Sequence, residues 1–257
     1  AFPVSVPGSE LEALVVGAAA AALERNDPIG ALNLAGIGAA VYNASEGGAA
    51  GFQSRLLGVL ENGTNLLDAS DDSISRLAGS LLGVIYLTAS LEKETLTGVL
   101  NLTDTMLGWG AELGILQDAA AFDLTDVLGD ALSNLKPGGG DAEMLSDHVN
   151  ELADLLAADL VEGEKASELV SQDQSLSIKV GKFSVADLAT QTITPATSSS
   201  KLNVTSTSQI LLNASAALTV MLSEFSSDIH TPAQTTNGSS AQLSDMLRLG
   251  VSGAANA

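Results

Sequence analysis

The hydrophobic period of this chain changes once, near residue 170, and that change limits the fold more than any other feature. Before it, Leu, Ile, Val and Ala recur every three or four residues, which lines one face of a helix; after it they alternate with polar residues, as in a strand. Helices first and strands second excludes alternating βαβ units and predicts an α+β chain. The expected parts are an N-terminal multi-helix bundle or layer, residues 1–170, and a smaller β-sandwich-like subdomain, residues 171–257.

The helical part divides into about seven stripes, each with its own start or stop chemistry. Ser9 precedes Glu10 and the stripe Leu11, Leu14, Val15, Ala18, Ala22. Asp27-Pro28 is a cap followed by a proline at the first helical position, leading into Ile29, Leu32, Ile37 and Val41. Phe52, Leu56, Leu57 and Leu60 form a third face, expected to stop at the Asn62-Gly63 turn signal. Ser70-Asp71-Asp72 open the clearest amphipathic stretch, Ile74, Leu77, Leu81 and Ile85. Three more stripes follow: Leu96 to Leu107, Leu124 to Leu135, and Leu145 to Leu160; Lys136-Pro137-Gly138-Gly139-Gly140 stands before the last. Strands are expected at Leu176-Ile178-Val180, Leu218-Val220-Leu222 and Leu247-Leu249-Val251, with Ser/Thr-rich loops at Thr190 to Thr207 and Pro232 to Ser240.

Composition narrows the function. Apolar residues are 46% and aromatics 3%, so a core must be built from Leu, Ala, Val and Ile. The net charge of -21 repels phosphate backbones and anionic surfaces, which argues against nucleic acid as a partner. Of the acids, 26 lie in residues 1–170 with 6 bases, leaving 5 acids and 4 bases beyond. With no cysteine, neither a disulfide framework nor a thiolate metal site is available. The longest apolar runs, Ala13 to Leu23 and Gly79 to Leu91, fall short of the roughly 20 residues that span a bilayer, so any anchor is expected elsewhere. Ala1 in place of an initiator methionine reads as a processed or excised segment.

The strongest chemical signal is a set of six asparagines in Asn-x-Ser/Thr context: Asn43, Asn62, Asn101, Asn203, Asn213 and Asn237. With 12 Asn, and Ser plus Thr at 46 of 257 residues, chance predicts about two such triplets. The excess points to N-linked glycans, the only attached groups expected; no cofactor is. Asn43, Asn62 and Asn237 fall at expected element ends or loops, where a bulky sugar is solvated. Asn101 lies inside an expected helix and must face outward, and Asn213 precedes a strand.

Other signals have plainer explanations. His148 shares a face with Leu145, Val149 and Leu152 and reads as a core histidine; His230, beside Asp228, has no metal-ligand spacing. Gly36-Ile37-Gly38 lacks a third glycine and a preceding strand, so helix packing explains it better than a dinucleotide loop. Asp68, Asp71 and Asp72 lack the EF-hand order, which leaves helix capping by Ser70 or Asp71. Asp123, Asp126 and Asp130 follow helical spacing and read as a solvated face.

Several stretches resemble the REJ/GAIN-type extracellular region of polycystin-like and adhesion-receptor proteins. Asp27 to Leu34, continuing through Ala40-Val41-Tyr42-Asn43, is similar to an early helix of that family, and the Leu-rich helices to residue 170 resemble its helical subdomain. Ser175 to Val185, Leu218 to His230 and Leu247 to Val251 resemble its β-rich subdomain. The resemblance implies a helical subdomain packed on a β-sandwich outside the membrane. The cysteines, tryptophan and His-Leu-Ser/Thr tripeptide of that family's autoproteolysis site have no counterpart here, so no catalytic residue is carried over. The expected function is a non-enzymatic extracellular or cell-surface glycoprotein module, structural or adhesive, in a surface, ciliary or filament-associated polycystin-like protein. Its expected partners are other extracellular or surface proteins, in a larger complex or filament. The alternatives are a non-catalytic helical scaffold subunit and a carboxylate-dependent glycosidase; Trp109, Tyr42 and Tyr86 are few for a sugar-stacking cleft.

Overall fold

The computed structural model describes residues 8–42, 49–88, 90–114, 116–135, 139–184, 192–193, 202–203, 218–225 and 246–253. The chain is α+β, and its described residues form seven helices followed by a small antiparallel sheet. It divides into two compact units, 1–113 and 114–257. The boundary expected at 170/171 thus falls inside the second unit.

The first unit contains α1 (Gly8–Glu24), α2 (Pro28–Val41), α3 (Ala49–Thr64), α4 (Asp71–Ile85) and α5 (Lys93–Leu113). The starts of α2 and α4 follow from the sequence. Asp27 caps α2 by accepting from the Gly30 N–H at 2.9 Å, with Pro28 behind it, and Ser70 caps α4 by accepting from the Ser73 N–H at 3.2 Å. Phe52, Leu32, Leu56, Leu60, Ile74, Leu77, Leu81, Leu100, Met106 and Leu107 are all fully buried, an aliphatic core with one aromatic.

Small residues let α2 sit close to its neighbours. Gly36 and Gly83 face each other across α2 and α4, where the Ser80 hydroxyl donates to the Leu32 carbonyl at 3.2 Å. A methyl group at Gly38 would collide with Val15 of α1. The glycine pair at 36 and 38 therefore serves helix packing. Gly63 does the same: a methyl there would lie 2.7 Å from Leu32 Cδ1. The expected Asn62-Gly63 stop falls within a residue or two of the observed end: both residues sit in the last turn of α3, which ends at Thr64.

In the second unit α6 (Asp118–Asn134) and α7 (Gly140–Ala158) pack on a four-stranded sheet. Its strands are β1 (Ser167–Val170), β2 (Leu176–Phe183), β5 (Leu218–Phe225) and β6 (Met246–Gly253), antiparallel in the order β1-β2-β5-β6. β1 lies within the stretch expected to be helical; four residues, Ser-Glu-Leu-Val, are too few to reveal a period. The pairs Leu176–Phe225, Ile178–Leu169 and Ile178–Ser223 fix the register, and Leu176, Ile178 and Val180 are fully buried. Ser177, on the opposite face of β2, is only 2% exposed, as are its neighbours across the strand, Leu222 at 1% and Glu224 at 4%. Around Ser177 and Glu224 the paired strands β2 and β5 are thus buried on both faces, although period-two alternation ordinarily leaves one wet. A separate pair, β3 (Thr192–Ile193) and β4 (Leu202–Asn203), interrupts the stretch expected to be a Ser/Thr-rich loop. The loop expected at Pro232 to Ser240, the residues Lys136 to Gly138, and Val185 lie outside the described residues.

Candidate functional site

The asparagine triplets are the candidate modification sites, and the structure places two of them fully. Asn62 is exposed in the last turn of α3, its Nδ2 donating to the Gly58 carbonyl at 2.8 Å; the Thr64 hydroxyl of the same triplet donates to the Glu61 carbonyl at 2.7 Å. Asn101 is exposed in mid-α5, the outward orientation that its position in a helix requires. Two residues on, Thr103 is fully buried, and its hydroxyl donates to the Val99 carbonyl at 3.0 Å. Both asparagines lie in the first unit, on helices that pack together: a methyl group at Gly98 of α5 would lie 2.5 Å from Leu57 Cδ2 and 3.2 Å from Glu61 Oε1 of α3. Asn203 pairs with Thr192 in the short β3–β4 ribbon. Asn43, Asn213 and Asn237 lie outside the described residues, as does His230.

The strongest polar cluster is one that sequence reasoning missed. The turn between β1 and β2 closes on Asp173, whose Oδ1 accepts from the Ser171 hydroxyl at 2.7 Å, the Ser175 N–H at 3.0 Å and the Ser175 hydroxyl at 2.7 Å. Its Oδ2 accepts from Ser133 of α6 at 2.8 Å. The turn is tied to α6 by the Gln172 N–H, which donates to Asp126 Oδ1 at 2.7 Å, and by the Ser175 hydroxyl, whose one proton is shared between Asp173 Oδ1 and the Gly129 carbonyl at 2.8 Å. Burial alone would raise the Asp173 carboxyl, but the donors from Ser171, Ser175 and Ser133 outweigh it and hold the group below the ordinary aspartate range. Gln174 takes a left-handed φ of 58° to complete the turn. A five-residue stretch, Ser-Gln-Asp-Gln-Ser, carried the signal, since Ser and Asp side chains favour local turn bonds.

This cluster also corrects the reading of Asp123, Asp126 and Asp130 as a solvated face. All three are half-buried, and Asp126 is engaged by the β1–β2 turn. Burial, with Asp126 close by, pushes the Asp123 carboxyl up. Near Asp72 the capping reading holds, because Ser70 makes the cap while Asp72 pairs with Arg76 at 2.6 Å. The Asp72 carboxyl is lowered by its hydrogen bond to Arg76. His148 is 3% exposed in α7, a core position as its spacing implies. Among the described residues no group of three or more His, Asp or Glu is placed to hold a metal ion. No helix among them is long and apolar enough to cross a membrane. No protein-family model matches this chain, and no curated protein matches it.

Proposed function

We propose that this chain is an extracellular glycoprotein module with a structural or adhesive role, part of a larger polycystin-like surface, ciliary or filament-associated protein. The single observation that carries the reading is the sequon excess: six triplets where chance gives about two. The exposure of Asn62 and Asn101 is compatible with it, since a sugar at either position meets solvent. The REJ/GAIN resemblance supplies the family, and the α+β order of elements agrees with that resemblance at the level of fold class only. Net charge of -21 and glycans would keep such a module soluble in a crowded surface layer. Enzymatic removal of N-glycans from native material tests the reading: the protein should drop in apparent mass, and unchanged mobility would count against it.

A second reading, a non-catalytic scaffold subunit, is favoured by one observation. α2 carries no charge from Pro28 to Val41 and leaves Ile37 61% and Val41 58% exposed, while Leu14 of α1 is 65% exposed. Light scattering on the purified chain separates the readings. A stable assembly without other proteins favours the scaffold.

A further inference from the structure

The two acceptors in the first unit differ in when they can be modified. The sequon rule requires a hydroxyl two residues after the asparagine, so the transferase must engage both side chains together. In an extended chain residues i and i+2 point to the same side; in an α-helix they are turned by about 200° and do not face each other. Asn101 and Thr103 show that separation in full. Asn101 is exposed, whereas Thr103 on the opposite side of α5 is fully buried, with its hydroxyl bonded to the Val99 carbonyl at 3.0 Å. Leu102 between them is also buried, at 3%.

We infer that Asn101 is a folding-gated glycan acceptor, open to the transferase only before α5 forms or while it is locally unfolded. The stability of α5 then sets its occupancy. Asn62 is the contrasting case. Its triplet ends α3, where Thr64 is the last helical residue and is half-buried, and terminal turns open at far lower cost than the middle of a buried helix. Asn62 therefore accepts sugar on the folded chain as well. The transfer joins the sugar C1 to the asparagine Nδ2, breaks the C1–O bond to a lipid-linked diphosphate, and releases one amide proton with that diphosphate.

The inference rests on the glycoprotein reading, and its test is independent of it because the enzyme is supplied. Unglycosylated folded chain, and a synthetic peptide spanning residues 96–108, are each incubated with purified oligosaccharyltransferase and a lipid-linked oligosaccharide. Modification at each asparagine is read by mass spectrometry. A 13-residue peptide is mostly unfolded in water, so it should be modified at Asn101, while the folded chain reacts there more than about 100-fold more slowly and still reacts at Asn62. Asp104→Gly, an exposed change in α5, should speed the folded-chain reaction at Asn101 up to about twofold by easing local opening, a modest factor because aspartate is itself a poor helix former. Hydrogen exchange at the amides of residues 101–103 should rise by the same factor. Equal rates for peptide and folded chain at Asn101, or an unmodified peptide, would overturn the inference. Absence of sugar on native protein would instead overturn the parent reading and leave this result standing.

Discussion

At the level of single residues, the structure separates two kinds of glycine and one carboxylate of special consequence. Gly129 of α6 lies under the β1–β2 turn, where a methyl group would come within 2.5 Å of Ser171 Cβ and 2.6 Å of its hydroxyl. Gly79 of α4 faces open space. Gly79→Ala should raise the stability of the chain by about 0.5–1 kcal/mol through helix propensity. Gly129→Ala gains the same propensity and loses more to the clash, so it should destabilise by about 1–2 kcal/mol, as urea unfolding would show. Asp173 offers a test by pH. Its folded-state pKa lies below its unfolded value of about 3.9, so the stability it contributes is present above that value and is lost as pH falls through the folded one. Asp173 is exposed, so solvent screens its hydrogen bonds: Asp173→Asn should cost less than about 1 kcal/mol at pH 7, and the gap from the parent should close as pH falls below about 4. None of this was legible from spacing. A glycine in a helical stripe looks the same whether it faces solvent or a turn 46 residues away in sequence, and Asp173 belongs to no periodic pattern.

Among the elements, helix starts were legible because capping is local, whereas helix ends and short strands depend on distant partners. Asp27-Pro28 and Ser70 cap α2 and α4 as their chemistry dictates. The end of α4 is held from elsewhere: Gln53 of α3, fully buried, donates its Nε2 to the Val84 carbonyl at 2.9 Å and the Ile85 carbonyl at 3.2 Å, while Thr88 donates to its Oε1. The Ile85 carbonyl is one that the helix end leaves without an internal partner, whereas the Val84 carbonyl also accepts from the Leu87 N–H at 3.3 Å. Gln53→Leu keeps the volume and strips the bonds, leaving the Ile85 carbonyl without its glutamine donor. It should cost about 1–2 kcal/mol in thermal or urea unfolding. A loss below about 0.5 kcal/mol would mean that the Ile85 carbonyl finds another partner. Sequence reasoning saw α3 as an apolar stripe and passed over the glutamine in it. β1 escaped for a different reason, since its four residues acquire strand geometry only by pairing with β2.

For the whole molecule, the α+β class and the seven helices among the described residues were legible, because the period changes only once and α3 to α7 each carry an apolar stripe, whereas the stripes expected in α1 and α2 do not mark their buried faces: Leu14, Ile29, Ile37 and Val41 are exposed. The grouping of those helices was not. The compact units divide between Leu113 and Gly114, and α6 and α7 belong with the sheet, an arrangement set by which apolar faces meet in space. Of the candidate sites, the exposure of Asn101 followed from helical geometry once its position in α5 was expected. The burial of its partner hydroxyl Thr103 followed from the same geometry and was not drawn from the sequence. The functional proposal stands on the six asparagines together. Site-resolved peptide mapping of the native protein is the most direct measurement of it. The account predicts N-linked sugar on at least three of Asn43, Asn62, Asn101, Asn203, Asn213 and Asn237. Six unmodified asparagines would contradict it.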